Sequence, residues 1–132
     1  MTFFTKEKRK YKRAYLLQTP VMGNFSIPII NKMFYGQILN VSEGGLCIKA
    51  ETIPDAVKGM QLLFKGSDDL EIFRGISDMR MKISYIEEYQ YADSSTIFST
   101  TKIVIGCKFK KILTPHKNAI LNIIEHYSNL KI

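Results

Sequence analysis

The sequence predicts a small, mainly β protein: an antiparallel β-barrel with one C-terminal α-helix and a basic N-terminal arm. Short runs rich in β-branched and aromatic residues alternate with Gly, Pro, Asp and Ser turns, as in small barrels and sandwiches. The periodicity becomes helical near the C-terminus, and the N-terminus is strongly basic. At 132 residues, 45% of them hydrophobic, the chain fits one domain with a buried core.

The first element is the basic arm, KEKRKYKR at residues 6–13, which holds six basic residues and one acidic residue. The whole chain has a formal net charge of +7, so most of the excess lies in this segment and the remainder is close to balanced. Such a local excess indicates an anionic partner. We therefore divide the chain into an arm, residues 1–13, and a barrel domain with its helix, residues 14–132.

Strand-like runs follow the arm. MFYGQILNV ends at the turn SEGG, and LCIKA, KGMQLLFKG, LEIFRGI, MRMKISYIEEY and TKIVIGCKFKKI come after it. In MRMKISYIEEY, Met79, Met81, Ile83 and Tyr85 alternate with polar residues, which predicts a strand with these four side chains on one buried face. The strand alignment within residues 66–101 stays open, and an extra hairpin or a partner-binding loop would fit there.

The end of the chain predicts a helix over about residues 114–128. Thr114 is a good N-cap, and Pro115 suits the first helical position. The spacing of five apolar residues predicts one buried face, formed by Ile120, Leu121, Ile123, Ile124 and Tyr127.

Several protein classes fit the sequence poorly. Cys47 and Cys107 lie in apolar runs without metal-binding spacing, so we expect small buried hydrophobes and neither a disulfide nor zinc. No run approaches the ~18 apolar residues of a membrane span, and we find no signal peptide. These features favour a cytoplasmic setting without membrane insertion.

Enzyme chemistry is also poorly supported. The two histidines, His116 and His126, lie ten positions apart on the predicted helix, where surface roles are expected. The sequence has no GxSxG, HExxH, P-loop or GxGxxG motif. The adjacent acids Glu87 and Glu88 would face opposite sides of a strand. We expect no catalytic residues, metal or cofactor.

The turn NVSEGG, residues 40–45, complements the arm. Asn40 and Ser42 are two apart and share a face of an extended chain. The following glycines offer the positive φ of a tight turn and close access for a ligand. In the arm, Arg9 and Arg13 are four apart and share a side in either a helix or a strand.

These two segments resemble the signature motifs of the PilZ domain family, RxxxR and (D/N)xSxxG. KGMQLL from Lys58 resembles the family's glycine-led strand, and IGCKF from Ile105 resembles a late strand of the VGxxF type. A final helix is also expected, so the resemblance covers roughly residues 8–128. Position 40 is Asn where the family often has Asp.

The resemblance implies a bacterial receptor for cyclic di-GMP. Arg9 and Arg13 would bind guanine edges or phosphates, as arginine forks do elsewhere. Asn40 would bind a guanine edge, and Ser42 a guanine or a phosphate. Gly45 would hold the turn, and Lys8 would add a phosphate contact. The arm would order over the ligand and change the surface offered to a downstream protein of unknown identity.

Two alternatives remain open. One is a PilZ-like adaptor that acts through protein contacts without binding a nucleotide. The other is a small nucleic-acid-binding barrel with a basic arm, whose affinity would fall steeply with salt. Because the cationic excess lies in one short arm, we do not expect a nucleic-acid partner. Ligand stoichiometry, one or two molecules, and the oligomeric state also stay open.

Overall fold

The computed structural model describes residues 13–16, 20–53, 55–67, 70–92 and 99–128. Lys8 and Arg9 lie outside these residues. The described chain consists mainly of strands, with a long helix at its end. The elements are β1 (Arg13–Tyr15), β2 (Val21–Ile27), β3 (Lys32–Ser42), β4 (Gly45–Ala50), β5 (Gln61–Ser67), α1 (Leu70–Phe73), β6 (Arg80–Ala92), β7 (Ser99–Phe109) and α2 (Thr114–Ser128).

Six antiparallel strands close into a barrel. Neighbours follow the order β3-β2-β5-β6-β7-β4, and β4 pairs back onto β3 to complete the ring. The remaining strand, β1, pairs with the end of β3, beyond the part that pairs with β2. The predicted fold class, a small antiparallel barrel with a C-terminal helix, is confirmed.

A row of aromatic rings links the barrel interior to the helix. Phe25 lies between Phe34 and Phe64, with ring centroids 5.3 and 5.6 Å away. The Phe73 ring comes next, with its centroid 5.8 Å from that of Phe64 and 6.1 Å from that of Tyr127 in α2, where the row ends. All five rings are buried. Burial of such large apolar groups is the main favourable contribution to packing α2 against the barrel.

The helix α2 spans the predicted residues, and four of the five residues predicted for its buried face are buried: Ile120, Ile123, Ile124 and Tyr127. Leu121 is 39% exposed, so its predicted burial is wrong. At 3.6 residues per turn, Leu121 lies about 100° from Ile120, outside the stripe formed by the other four. No helix in the described part of the chain is long and apolar enough to cross a membrane.

The region between residues 66 and 101 contains a short helix and a long hairpin. The run LEIFRGI is not a strand: it forms α1 and a 3-10 turn, Arg74–Ile76. Phe73 and Ile76 are buried three positions apart, a helical spacing that places both against the core. In the hairpin, the pairing of β6 with β7 begins with Met81 opposite Phe109 and ends with Ala92 opposite Ser99.

Candidate ligand-binding cleft

A cleft of about 770 Å³ opens on the outer surface where β1, β3, β4, β6 and β7 come together. Four of the six residues predicted as ligand contacts line it: Arg13, Asn40, Ser42 and Gly45. The other lining residues are Glu43, Gly44, Leu46, Cys47, Ser84, Tyr85, Gly106, Cys107, Lys108, Phe109 and Ile112. The two predicted contacts in the arm fall outside the described residues.

Strand β1 brings Arg13 to the cleft. Arg13 lies opposite Ser42, and Tyr15 opposite Asn40, across the antiparallel pair with β3. Ala14 and Leu16 are buried in the core, so the alternation of the strand turns Arg13 to the outside, where it is exposed. Two separate motifs of the sequence thus become cross-strand neighbours.

A β-bulge in β3 aims Asn40 outward. The register with β4 shifts between Ile38 and Asn40, so Leu39 is an extra residue in β3. Ile38 and Val41 are both buried although they are three positions apart. Strict alternation would bury Ile38 and Asn40 and expose Val41, so the extra residue is required. The bulge therefore puts Asn40 and Ser42 on the outer face, where they share one side as predicted.

The turn after β3 is held by the Ser42 side chain. Its Oγ accepts a hydrogen bond from the Gly44 N–H at 3.1 Å and donates to the Gly45 carbonyl oxygen at 3.5 Å. A hydroxyl has one donor hydrogen and two acceptor lone pairs, so one lone pair has no partner among the described residues, and the long bond to Gly45 is readily exchanged. Ser42 can therefore hold the turn and contact a ligand at once.

Gly45 is required for a different reason from the predicted one. It does not adopt a positive φ, so conformational freedom is not its contribution. A Cβ atom at this position would lie 1.8 Å from the carbonyl oxygen of Cys107 on β7. The absence of a side chain lets β4 pair closely with β7, and this pairing forms the floor of the cleft.

Tyr85 belongs to the cleft and not to the buried face predicted for it. Met79, Met81 and Ile83 are buried as predicted, but Tyr85 is 42% exposed. The register between β6 and β7 shifts between Ile83 and Tyr85, so Ser84 is an extra residue. This second bulge turns Tyr85 to the outside. The alternating pattern of the sequence does not indicate the bulge at Ser84.

The Tyr85 ring lies directly on the backbone of Gly106. A Cβ at Gly106 would lie only 2.0 Å from Cε2 of the ring, so a glycine is needed beneath it. The tip of the ring reaches Cys47, whose Sγ lies 3.7 Å from the tyrosine hydroxyl. The result is an aromatic side chain fixed from below and at its tip, at the wall of the cleft.

The two cysteines have different environments. Cys107 is buried in the core as predicted, and burial raises its thiol pKa to about 12. Cys47 is half-buried and lines the cleft, so its predicted burial is only partly right. Burial raises the pKa of its thiol, although the hydrogen bond with Tyr85 and the charge of Arg13 oppose that shift. A neutral Cys47 is expected at neutral pH.

The polar groups of the cleft suit an anionic, aromatic ligand. Arg13 and Lys108 supply positive charge, while Glu43 is the acidic side chain in the lining. Asn40 offers both a donor and an acceptor, and Tyr85 offers a ring. In the described residues, no group of three or more His, Cys, Asp or Glu side chains is placed to hold a metal ion.

A second cavity, of about 680 Å³, lies at the other end of the barrel surface, between Met33, Tyr35 and Lys102. None of the four described residues predicted as ligand contacts lines it. Its Lys102 is paired with Glu51 at 3.3 Å. The first cleft is therefore the candidate site.

Comparison with known proteins identifies relatives of this fold. A family model described as the PilZ domain matches residues 7–126. No curated protein sequence matches the chain. The solved structure "PilZ domain with c-di-GMP of YcgR from Escherichia coli" is similar with a TM-score of 0.74 at 17% identity, over 94% of each chain.

Two further structures are less similar. The MrkH–c-di-GMP complex of K. pneumonia has a TM-score of 0.65 at 16% identity, covering 92% of this chain and 52% of MrkH. The Bacillus subtilis inhibitor of motility, MotI/DgrA, has a TM-score of 0.54 at 12% identity and is covered over 54% of its length. The chain thus spans about half of these two proteins, and at such identities the likeness is one of fold.

Replacing Gly45 with alanine is expected to destabilise the barrel by about 1–3 kcal/mol or more, because the new Cβ meets the backbone of β7. Urea unfolding measures the change. Gly66→Ala is the matched control, since a Cβ there meets nothing within 4 Å. Equal stability of the two variants would contradict the close packing of β4 on β7.

The pKa of Tyr85 is raised from 10.0 to about 12, first by burial and then by its hydrogen bond with Cys47. The folded protein therefore keeps this proton at pH values where the unfolded chain loses it. The stabilising effect is complete below about pH 10 and is lost as the pH rises toward 12.

An ultraviolet titration of tyrosinate in the native protein measures this directly. Tyr85→Phe should remove a tyrosine that titrates near pH 12, and Cys47→Ala should move that step to lower pH. Coincident curves for Tyr85→Phe and the native protein, after correction for tyrosine number, would contradict the assignment.

Proposed function

The chain belongs to the PilZ domain family, and from this premise we propose that it is a receptor for cyclic di-GMP and not an enzyme. The supporting observation is the convergence of Arg13, Asn40, Ser42 and Gly45 on one cleft, although the two motifs are far apart in sequence. Two of the three similar solved structures named above are described as containing this nucleotide.

The ligand presents two phosphates and two guanines, and the cleft offers a group for each. We assign Arg13 to a phosphate or to the O6 and N7 edge of a guanine, since a guanidinium pairs with either in a planar fork. Lys108, exposed at the rim, can contribute a second charge to the phosphates. Asn40 can pair with a guanine edge through its amide.

Tyr85 adds a stacking surface to this proposal. Its ring is fixed on Gly106 and bonded to Cys47, so little side-chain entropy remains to be lost on binding. Stacking of a base on an aromatic ring contributes about 1–3 kcal/mol. We expect one guanine to lie against Tyr85 while Arg13 and Asn40 bind the polar edge of a guanine from the other side of the cleft.

The arm completes the proposed site. Arg13 is the first residue of β1, and Arg9 precedes it by four positions, with Lys8 beside it. Ligand contacts from both arginines and the lysine would tie residues 6–13 to the barrel wall. This ordering would change the surface next to the cleft, and a downstream protein would respond to the change.

Limited trypsin digestion tests the arm, because residues 6–13 contain six possible cleavage sites. Cyclic di-GMP should slow cleavage within the arm severalfold without changing cleavage at Lys32, which is exposed on β3. Protection of both regions alike would indicate general stabilisation, and unchanged cleavage in the arm would contradict ordering.

Calorimetric titration with cyclic di-GMP tests the receptor function and gives the stoichiometry, with GTP and a single-stranded oligonucleotide as controls. Arg13→Ala should weaken binding about 10- to 150-fold, the usual contribution of a charged hydrogen bond, and Arg9→Ala should act similarly. Arg74→Ala is the matched control, since Arg74 is exposed outside the cleft.

Full affinity in both Arg13→Ala and Arg9→Ala, with unchanged circular dichroism, would show that the site assignment is wrong. A folded native protein that binds no cyclic di-GMP would support the adaptor without a nucleotide. Oligonucleotide binding that salt abolishes would support the nucleic-acid alternative.

A further inference from the structure

The outer face of β6 and β7 carries cations that face one another across the strands. Lys82 lies directly opposite Lys108. The N–H of Lys110 donates to the carbonyl oxygen of Arg80 at 3.0 Å, which places these two residues side by side. Lys111 follows Lys110 in sequence. These five residues are all exposed, and they form a surface that we call the basic face: Arg80, Lys82, Lys108, Lys110 and Lys111.

No acidic side chain of the described residues forms an ion pair with the basic face. The acid nearest in sequence, Asp78, is bonded to Lys65 on β5. Like charges directly opposite each other destabilise a strand pair, so the fold gains nothing from Lys82 facing Lys108. An anionic surface outside the protein would remove this repulsion.

Two aliphatic side chains are exposed beside these cations. After β7 the chain turns at Lys111, whose φ is 48°, and then presents Ile112 and Leu113 before α2 begins. Ile112 is 40% exposed and Leu113 is 57% exposed. Exposed aliphatic residues within a run of lysines are typical of proteins that lie on anionic bilayers: the cations meet headgroups while the apolar groups enter the acyl boundary.

We propose that the basic face, with Ile112 and Leu113, binds the surface of an anionic lipid bilayer without inserting a helix. The outer face of a barrel is convex, and fluid headgroups can gather around cations spread over such a face. A nucleic acid would offer phosphates to the cations but no apolar environment for Ile112 and Leu113. A bilayer offers both, so it explains both the basic and the aliphatic residues of this surface.

The lipid site is separable from the candidate ligand cleft. Lys108 and Ile112 line both, but Arg80, Lys82, Lys110 and Leu113 do not line the cleft. Variants at these four positions therefore test lipid binding alone. The proposed lipid binding does not depend on cyclic di-GMP binding, so a negative result for one leaves the other unaffected.

Co-sedimentation of the full chain with vesicles provides the test. The protein should bind vesicles of phosphatidylcholine mixed with phosphatidylglycerol, should not bind phosphatidylcholine alone, and should dissociate at high salt. Each cation near an anionic surface contributes about a fivefold factor. The triple variant Arg80→Gln, Lys82→Gln, Lys110→Gln should therefore bind about 100-fold more weakly, while Lys32→Gln is the control for an exposed lysine elsewhere.

The aliphatic pair distinguishes a bilayer from other polyanions. Leu113→Ser should weaken vesicle binding about tenfold and leave any oligonucleotide binding unchanged. Met33→Ser is the control, since Met33 is 60% exposed at the other end of the barrel. The proposal is overturned if the native protein does not bind the mixed vesicles, or if the triple variant binds them fully. It is also overturned if Leu113→Ser has no more effect than Met33→Ser, a result that favours a nucleic acid or an acidic protein.

Discussion

The pairing of β4 with both β3 and β7 closes the barrel, and the candidate cleft depends on it. This strand is short, and its first residue, Gly45, lies so close to the backbone of β7 that no side chain would fit. The closure buries the inner faces of all six strands and brings the end of β3 next to β6 and β7. Polar residues from separate parts of the chain thereby reach one place on the outer surface.

Within this ring, two β-bulges determine which side chains face the ligand cleft. In a regular strand every second side chain faces the core, so the set of side chains that face outward changes only where the register changes. The extra residues Leu39 and Ser84 make that change in β3 and β6. They place Asn40 and Tyr85 outside while Val41 and Ile83 remain buried, so core packing and the cleft coexist in the same strands.

Charge is distributed unevenly over the folded barrel, although the sequence outside the arm is close to balanced. Two acids of the described residues pair with lysines, Asp78 with Lys65 and Glu51 with Lys102. The cations at the ends of β6 and β7 remain unpaired within the described residues and adjoin the cleft. A charge count along the chain cannot show this segregation, because it arises from strands that are neighbours only in the barrel.

The sequence by itself determined the fold class, the bounds of α2 and the residues of the two motifs, because periodicity, capping and turn chemistry are local. It also indicated that Asn40 and Ser42 share a face. Only the tertiary structure decided that Tyr85 faces outward, that Cys47 lines the cleft and that Gly45 is needed for close strand packing and not for a positive φ. These features depend on register between strands distant in sequence, and register is set by the closed barrel as a whole.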